Sequence, residues 1–361
     1  MKILCVIDSL GSGGAQRQLV ELAKGFKEKG HKVSFLIYFD ITFFKPLLDE
    51  VNIPVKIIQE DSFLKRIFKI RKFIREQKCD VVVSFLETPN FICEISGFPW
   101  RNWKLIVGER SADPKILKSI KRRFFRLMHV FSDEVVANSK ENIYIVKKIN
   151  PFLSKKRCHV IYNIIDSKKW TPSDSYLPLN EDKFRLIIAA SHLDYKNARG
   201  LIEAINCLTI EEKKKLNVSW YGKKGEDNSF NEAKELIAKY RLEDIIKFYE
   251  PTQDIYKVYA KCDAVGLFSF LEGLPNTVCE GMSMGRLILA SKISEIPFLL
   301  NNDNNCMFDP KSIEQIRNTI SWAISLKVEN LLNYGRINRE NAIEYFDKNK
   351  IVESYLKILK K

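Results

Sequence analysis

The chain has 361 residues, of which 45% are hydrophobic and 29% charged, with a formal net charge of +14 and a pI near 9.2. This composition excludes a disordered or fibrous chain, and no apolar run approaches the roughly 20 residues a bilayer span needs. The eight cysteines contain no Cys-x-x-Cys pair, so neither a disulfide framework nor a zinc site is expected and a reducing cytosol fits.

Residues 3–7 read as a first buried strand, and the run ending at Asp8 is too short for a secretion signal. Further apolar runs follow at 33–38, 55–58, 81–85, 105–107 and 134–137, with helical stretches near 15–29, 62–78, 89–97, 114–130 and 139–149 between them. Short apolar runs alternating with amphipathic stretches predict a doubly wound α/β unit. Residues 170–178, with two prolines, read as a linker. A second unit of the same kind has apolar runs at 184–190, 218–221, 246–249, 264–268 and 287–290, and a helical tail covers 340–361.

The charge is one-sided. Residues 1–160 hold 30 lysines and arginines against 17 aspartates and glutamates, and the remainder holds 29 against 28. Such a field suits a polyanion or an anionic membrane surface. No zinc motif, aromatic RNA-binding motif or recognition-helix pattern is present, so nucleic acid is not an expected partner. Two basic stretches carry apolar stripes at helical spacing: Phe63, Leu64, Ile67, Ile70 and Ile74 in one, and Ile116, Leu117, Ile120, Phe124, Leu127 and Met128 in the other. Both stripes are expected to be core, with Lys65, Arg66, Lys69, Lys72, Lys118, Lys121, Arg122 and Arg126 left on outer faces that would suit an interfacial dock.

The densest pattern lies at 270–285. Glu272 and Glu280 stand eight residues apart around Gly273, Leu274, Pro275, Asn276 and Thr277. The flanking runs make this strand, turn, helix and strand. Pro275 suits the first helical position, and the amides that follow would then point outward at a helix N-terminus, a place for a phosphate.

This segment resembles the E-x7-E signature of retaining glycosyltransferase family 4. The resemblance implies an α/β architecture of the GT-B kind, two Rossmann-like doubly wound domains facing a central cleft. The expected divisions are 1–168 for acceptor binding, 180–340 for nucleotide-sugar binding, and 341–361 as a C-terminal helix returning to the first domain. It also implies that Glu272 lies by the transferred sugar and that Glu280 binds the nucleotide ribose.

Other positions match in part. The loop Gly11-Ser12-Gly13-Gly14 lacks the third glycine of a dinucleotide fingerprint, its place being taken by Gln16. In the family a paired glycine here lets the backbone approach the donor phosphate and the acceptor, which assigns Gly13 and Gly14. Glu87 and Asn90 would face the acceptor. Arg110 stands where many relatives carry His; it either neutralises a phosphate or pairs with Glu109. Residues 160–166 resemble the family's connecting segment, with Ile164 in place of the usual glycine. Lys196 matches the lysine that counters the diphosphate, whereas Ser191 or His192 stands in for the usual arginine. Gly222 belongs to a weakened nucleotide loop.

The expected activity is transfer of a sugar, with retention, from a nucleotide diphosphate sugar, a UDP-sugar foremost, to a hydroxyl of a glycan or polyprenyl-diphosphate-linked acceptor. The setting would be synthesis of a surface polysaccharide such as capsule or O-antigen, in the cytoplasm or peripheral on the inner face of the membrane. No cofactor is expected. With no Asp-x-Asp metal pair, Lys196 and the helix N-terminus would do what a metal ion does elsewhere. The alternatives are a GT-B-fold UDP-N-acetylglucosamine 2-epimerase and a non-catalytic nucleotide-sugar-binding partner.

Overall fold

Crossover helices and a 7-stranded parallel sheet build the first of two compact units, Met1–Ile164 with Lys348–Lys361; the second is Ile165–Asp347. The computed structural model describes residues 1–173, 176–179 and 183–360.

The first unit contains β1 (Lys2–Val6), β2 (Lys32–Ile37), β3 (Val55–Ile57), β4 (Val81–Phe85), β5 (Lys104–Glu109), β6 (Glu134–Ala137) and β7 (Cys158–Val160), in the order β3-β2-β1-β4-β5-β6-β7. Its crossings are α1 (Gly14–Glu28), α2 (Lys45–Asp49), α3 (Phe63–Gln77), α4 (Glu87–Ser96), α5 (Ile120–Leu127) and α6 (Lys140–Ile149). Strand side chains alternate between faces. Ile3 and Cys5 pack on one side with Phe26 of α1, while Leu4 and Val6 pack on the other with Ile70 of α3 and Ile92 of α4. Covered on both faces, these strands must be apolar throughout, which is why they stand out in the sequence.

The second unit contains β8 (Phe184–Ala189), β9 (Leu216–Tyr221), β10 (Ile246–Tyr249), β11 (Ala264–Leu267), β12 (Leu287–Ser291) and β13 (Met307–Phe308), parallel, in the order β10-β9-β8-β11-β12-β13. Its helices are α7 (Ala198–Asn206), α8 (Ile210–Lys215), α9 (Ser229–Lys239), α10 (Ile255–Tyr259), α11 (Asn276–Ser283), α12 (Ile296–Leu299), α13 (Ile313–Ile324) and α14 (Val328–Phe346). The last helix, α15 (Lys348–Lys360), belongs to the first unit, where Tyr355 meets Phe26 edge to face at 6.3 Å. The single tail helix expected over 340–361 is thus two helices broken at Asp347, whose φ of −55° and ψ of 125° leave the helical region.

One expectation changes where the first unit gives way to the second. The linker expected over 170–178 is not one. Trp170 is buried against Tyr259, and its carbonyl accepts from Arg339 at 2.6 Å. Asp174 and Ser175 of that stretch lie outside the described residues. Part of the connecting segment is strand β7, which pairs with β6. Where the family has a glycine, Ile164 is clamped by Gln18, which donates to its carbonyl at 3.1 Å and accepts from its amide at 2.6 Å.

In each sheet the strand order reverses once, between β1 and β4 and between β8 and β11. The loops leaving the carboxyl ends of those strands flank the crevice where open α/β sheets bind ligands.

Candidate active site

In the second unit the reversal point brings together Lys196 and Glu272. After β8 the chain makes a 3-10 turn, Asp194–Lys196, and Asn197 follows in the left-handed conformation at φ 61°. Asn197 caps α7 by accepting from the Gly200 amide at 3.1 Å and donates to the Pro310 carbonyl at 2.8 Å. With its neighbour so pinned, Lys196 reaches across to Glu272 and makes an ion pair with Oε1. Ser269 donates to that same oxygen at 2.8 Å, and the Phe270 amide donates to the Tyr195 carbonyl at 2.8 Å, tying the two loops together. Burial pulls the Lys196 ammonium down, but Glu272 and then Tyr195 more than offset that and hold it above the ordinary lysine value.

Glu272 is followed by Gly273, whose carbonyl accepts from Ser294 Oγ at 2.5 Å, and then by buried Leu274 and Pro275. Pro275 is the N-cap of α11, one place earlier than the first helical position expected for it. Helix α11 starts at Asn276, so the amides of Thr277 and Val278 lie in its first turn, where no carbonyl one turn back exists within the helix. The Thr277 hydroxyl is engaged with Tyr259 at 2.6 Å, so this residue offers its backbone rather than its side chain. Glu280 is buried one turn beyond Asn276.

Gly222 is demanded by close approach: a Cβ there would fall 1.8 Å from the Ala190 carbonyl oxygen, which also accepts from Trp220 Nε1 at 2.7 Å. That packing lays the Ser191 loop on the end of β9. His192, one of the two residues expected to stand in for the family's arginine, is instead a core side chain. Its ring is buried, stacked on Trp220 at 5.4 Å and set against Phe230 and Phe248, and neither ring nitrogen has a hydrogen-bond partner. Burial drives its pKa down to about 4, so the imidazole is neutral. Ser191 remains at the loop surface, partly buried.

In the first unit, Gly13 is the N-cap of α1 and Gly14 its first residue. Beside them sits Asp8, which the sequence did not single out. Its Oδ1 accepts from the Ser9 amide at 2.6 Å and from Gln16 Nε2 at 3.0 Å, and burial raises its pKa. The chain enters α4 through Leu86 at φ 79°, a strained conformation for a residue with a Cβ. Asn90 does not face an acceptor. It is buried, accepts from Ser84 Oγ at 2.7 Å and donates to the Gly108 carbonyl at 3.0 Å. Glu87 is half committed: its Oε1 accepts from Arg122 at 2.9 Å and from Arg126 at 2.8 Å.

Glu109 and Arg110 do not pair with each other, because consecutive strand residues point to opposite faces. Glu109 is buried between Arg126 at 2.8 Å and His129 at 3.0 Å. Burial alone would raise its pKa, yet Arg126 and His129 pull it to about 2. His129 donates from its other nitrogen to Glu94 at 2.6 Å; burial opposes its charge, and Glu94 and Glu109 raise its pKa to about 9. Arg110 lies over the Phe85 ring, 3.8 Å from its centroid, and donates to the Tyr355 hydroxyl at 2.6 Å. Among the described residues no group of three or more His, Cys, Asp or Glu side chains is placed to hold a metal ion.

A family model described as Glycosyl transferases group 1 matches residues 173–345, and one described as Glycosyltransferase Family 4 matches residues 12–169. The chain belongs to the group 1 glycosyltransferases. The group 1 portion of this glycosyltransferase spans Lys196, Glu272 and Glu280, and the family 4 portion begins just before Gly13. Neither model is one of a sugar-nucleotide epimerase. Over 297 residues, 78% of the chain and 77% of the relative, it is 27% identical to a Campylobacter jejuni enzyme, the GalNAc-alpha-(1->4)-GalNAc-alpha-(1->3)-diNAcBac-PP-undecaprenol alpha-1,4-N-acetyl-D-galactosaminyltransferase. The Anabaena protein HepE, solved in complex with UDP and glucose, superposes over 100% of both chains with a TM-score of 0.88 at 20% identity. A glycosyltransferase from Rickettsia africae does so over 99% of this chain and 97% of its own, with a TM-score of 0.77 at 21% identity. These likenesses show the GT-B fold.

Proposed function

We propose that this glycosyltransferase moves a sugar from a UDP-sugar to a hydroxyl of a lipid-linked glycan, with retention of anomeric configuration, at the inner face of a membrane. The observation that carries the reading is the Lys196–Glu272 ion pair, set in the residues that lead into α11. An incoming diphosphate would draw the Lys196 ammonium to itself and also accept from the first-turn amides of α11. Glu272, relieved of its cation, would then be free to accept from hydroxyls of the sugar. Negative charge builds on the diphosphate as the glycosidic bond loosens, and a preorganised cation with amides stabilises that charge without a metal. Glu280 would hold the ribose. Gly13 and Glu87 would meet the acceptor, and Arg110 would stand near the reacting phosphate. Front-face attack, in which the donor phosphate takes the acceptor's proton, follows from the resemblance to family 4.

Two relatives support the choice of substrates. HepE was solved with UDP and with UDP-glucose. The name of the Campylobacter enzyme specifies an acceptor on PP-undecaprenol.

A thermal-shift screen of UDP-, GDP- and ADP-sugars tests the donor; the expected outcome is a rise in Tm with UDP-sugars alone, undiminished by a chelator. Transfer onto a synthetic polyprenyl-diphosphate glycan, with NMR of the product's anomeric proton, tests acceptor and stereochemistry. Stabilisation by GDP- or ADP-sugars only, or a product of inverted configuration, would overturn the reading.

A further inference from the structure

The first unit leaves a large apolar surface exposed on the side of its sheet covered by α3, α4 and α5. The two stripes expected to be core are so only in part. Ile67, Ile70 and Ile74 of α3 and Ile116 ahead of α5 are buried. Leu64 and Phe68 on α3, however, are 67% and 69% exposed, Trp100 is 74% exposed, and Ile120 at the start of α5 is 86% exposed. Phe124 and Phe131 add to them. Single exposed apolar residues need no explanation, but a contiguous set does.

Helix packing and ring contacts gather the set on one side of the sheet. Helix α4 packs between α3 and α5. Phe124 of α5 touches Phe91 of α4 with ring centroids 5.9 Å apart. Phe98 touches Phe131, which follows α5, at 5.7 Å. Arg75 at the end of α3 donates to the carbonyls of Phe98 and Trp100 at 3.0 and 2.8 Å, and Arg101 donates to the Phe131 carbonyl at 2.7 Å. The ends of α3 and α5 are thereby tied through one loop that carries two exposed aromatic rings.

The charge around this surface has one sign. Residues 62–75 contain six lysines and arginines and no aspartate or glutamate, and so do residues 114–132. Lys65, Lys69 and Lys72 on α3, with Lys118, Lys121 and Arg123 near and on α5, are exposed. Aromatic and aliphatic side chains ringed by cations match a surface that is anionic at its face and apolar just beneath. A second copy of this chain would bring the same cations and repel.

We propose that the α3–α4–α5 face of the first unit docks on an anionic lipid bilayer, with Leu64, Phe68, Trp100, Ile120 and Phe124 entering the headgroup region and the flanking lysines meeting lipid phosphates. The proposal rests on the lipid-linked acceptor reading, because such an acceptor is met only at a bilayer.

Vesicle sedimentation tests it. The full chain is mixed with vesicles of phosphatidylcholine alone or with 30% phosphatidylglycerol, a proportion on the order of natural anionic membranes. The expected result is binding to the anionic vesicles only, weakened at least tenfold between roughly 50 and 500 mM salt. Phe68→Ser with Trp100→Ser and Phe124→Ser should lower partitioning about tenfold or more. Donor-induced thermal stabilisation should be unchanged, since these side chains are exposed and lie in the first unit. A wild-type chain that stays in the supernatant at low salt, or a triple variant that partitions like the wild type, overturns the dock. So does a dimer in solution that the triple variant dissolves, because the face would then be covered by a second copy. The donor screen runs without vesicles, so loss of the dock and loss of the UDP-sugar reading register in different assays.

Discussion

The Tyr355 hydroxyl accepts from Arg110 Nη2 at 2.6 Å, so a residue of the last helix holds the guanidinium at the carboxyl end of β5. Phe85 supports the same guanidinium from its face, 3.8 Å away. Tyr355→Phe removes the acceptor and leaves the ring packing in place. The expected loss is about 1–3 kcal/mol of stability in urea unfolding, with a fall in kcat if Arg110 stands by the reacting phosphate. Unchanged kcat with reduced stability would confine Arg110 to architecture.

Lys196→Ala removes the cation proposed to receive the departing diphosphate. Steady-state kinetics should show kcat lowered by on the order of 10²–10³ with donor KM moved far less. Glu280→Ala should do the reverse, raising donor KM at least tenfold, because the ribose contact proposed for it would be made equally in ground and transition states. Both variants near wild type would remove the site from consideration.

Arg126→Met leaves buried Glu109 facing His129 without its guanidinium partner. Breaking a buried pair from one side costs about 3–5 kcal/mol. Glu109→Gln in the same background should recover part of that loss, and a double-mutant cycle of urea midpoints measures the coupling.

Two buried histidines pull stability in opposite directions with pH. His192 has its folded pKa depressed from 6.5 to about 4. The unfolded chain therefore binds a proton that the folded one refuses, and stability is lost as pH falls through that interval. His129 has its pKa raised from 6.5 to about 9. Its contribution is complete below 6.5 and is lost as pH rises toward about 9. Each effect is on the order of 1–3 kcal/mol. Urea midpoints taken across the range should peak near pH 6.5 in the wild type. His192→Phe should flatten the acid limb and leave the alkaline limb in place.

Gly222→Ala would set a methyl 1.8 Å from the Ala190 carbonyl, a clash with backbone that no rotamer relieves. Destabilisation of about 3 kcal/mol or more is expected, with donor stabilisation in thermal shift lost as the Ser191 loop lifts off β9.

Much of the fold was legible because parallel strands covered on both faces are written as plain apolar runs. Strands β7 and β13 were not, since Cys158–Val160 carries His159 at its centre and is not fully buried, and Met307–Phe308 is only two residues long. The stretch at 170–178 has the composition of a linker, and nothing in it announces that Trp170 seats itself against Tyr259, far along the chain. In the candidate site, Lys196 and Glu272 were legible singly, as residue types in a recognisable string, but not as partners. Their pairing depends on β8 and β11 lying side by side, which is a property of strand order. The same holds for Glu109. Its neighbour in sequence suggested Arg110, whereas strand alternation turns it to Arg126 and His129. Ser269 could have been noticed as a hydroxyl three residues ahead of Glu272. Asn90 misled because a polar residue after a strand usually faces solvent, and here it stitches β4 to β5.

Helix α15 lays Ile351, Val352, Tyr355, Ile358 and Leu359 into the same apolar cluster as Ile3 and Cys5. During synthesis the amino-terminal half therefore emerges with that side of its sheet covered by α1 and α2 but not by α15, and waits while nearly two hundred further residues are translated. The opening strands reach their finished state only after Lys348–Lys360 has been made, so a lesion in α15 would surface as a defect in the sheet built from the opposite end of the sequence.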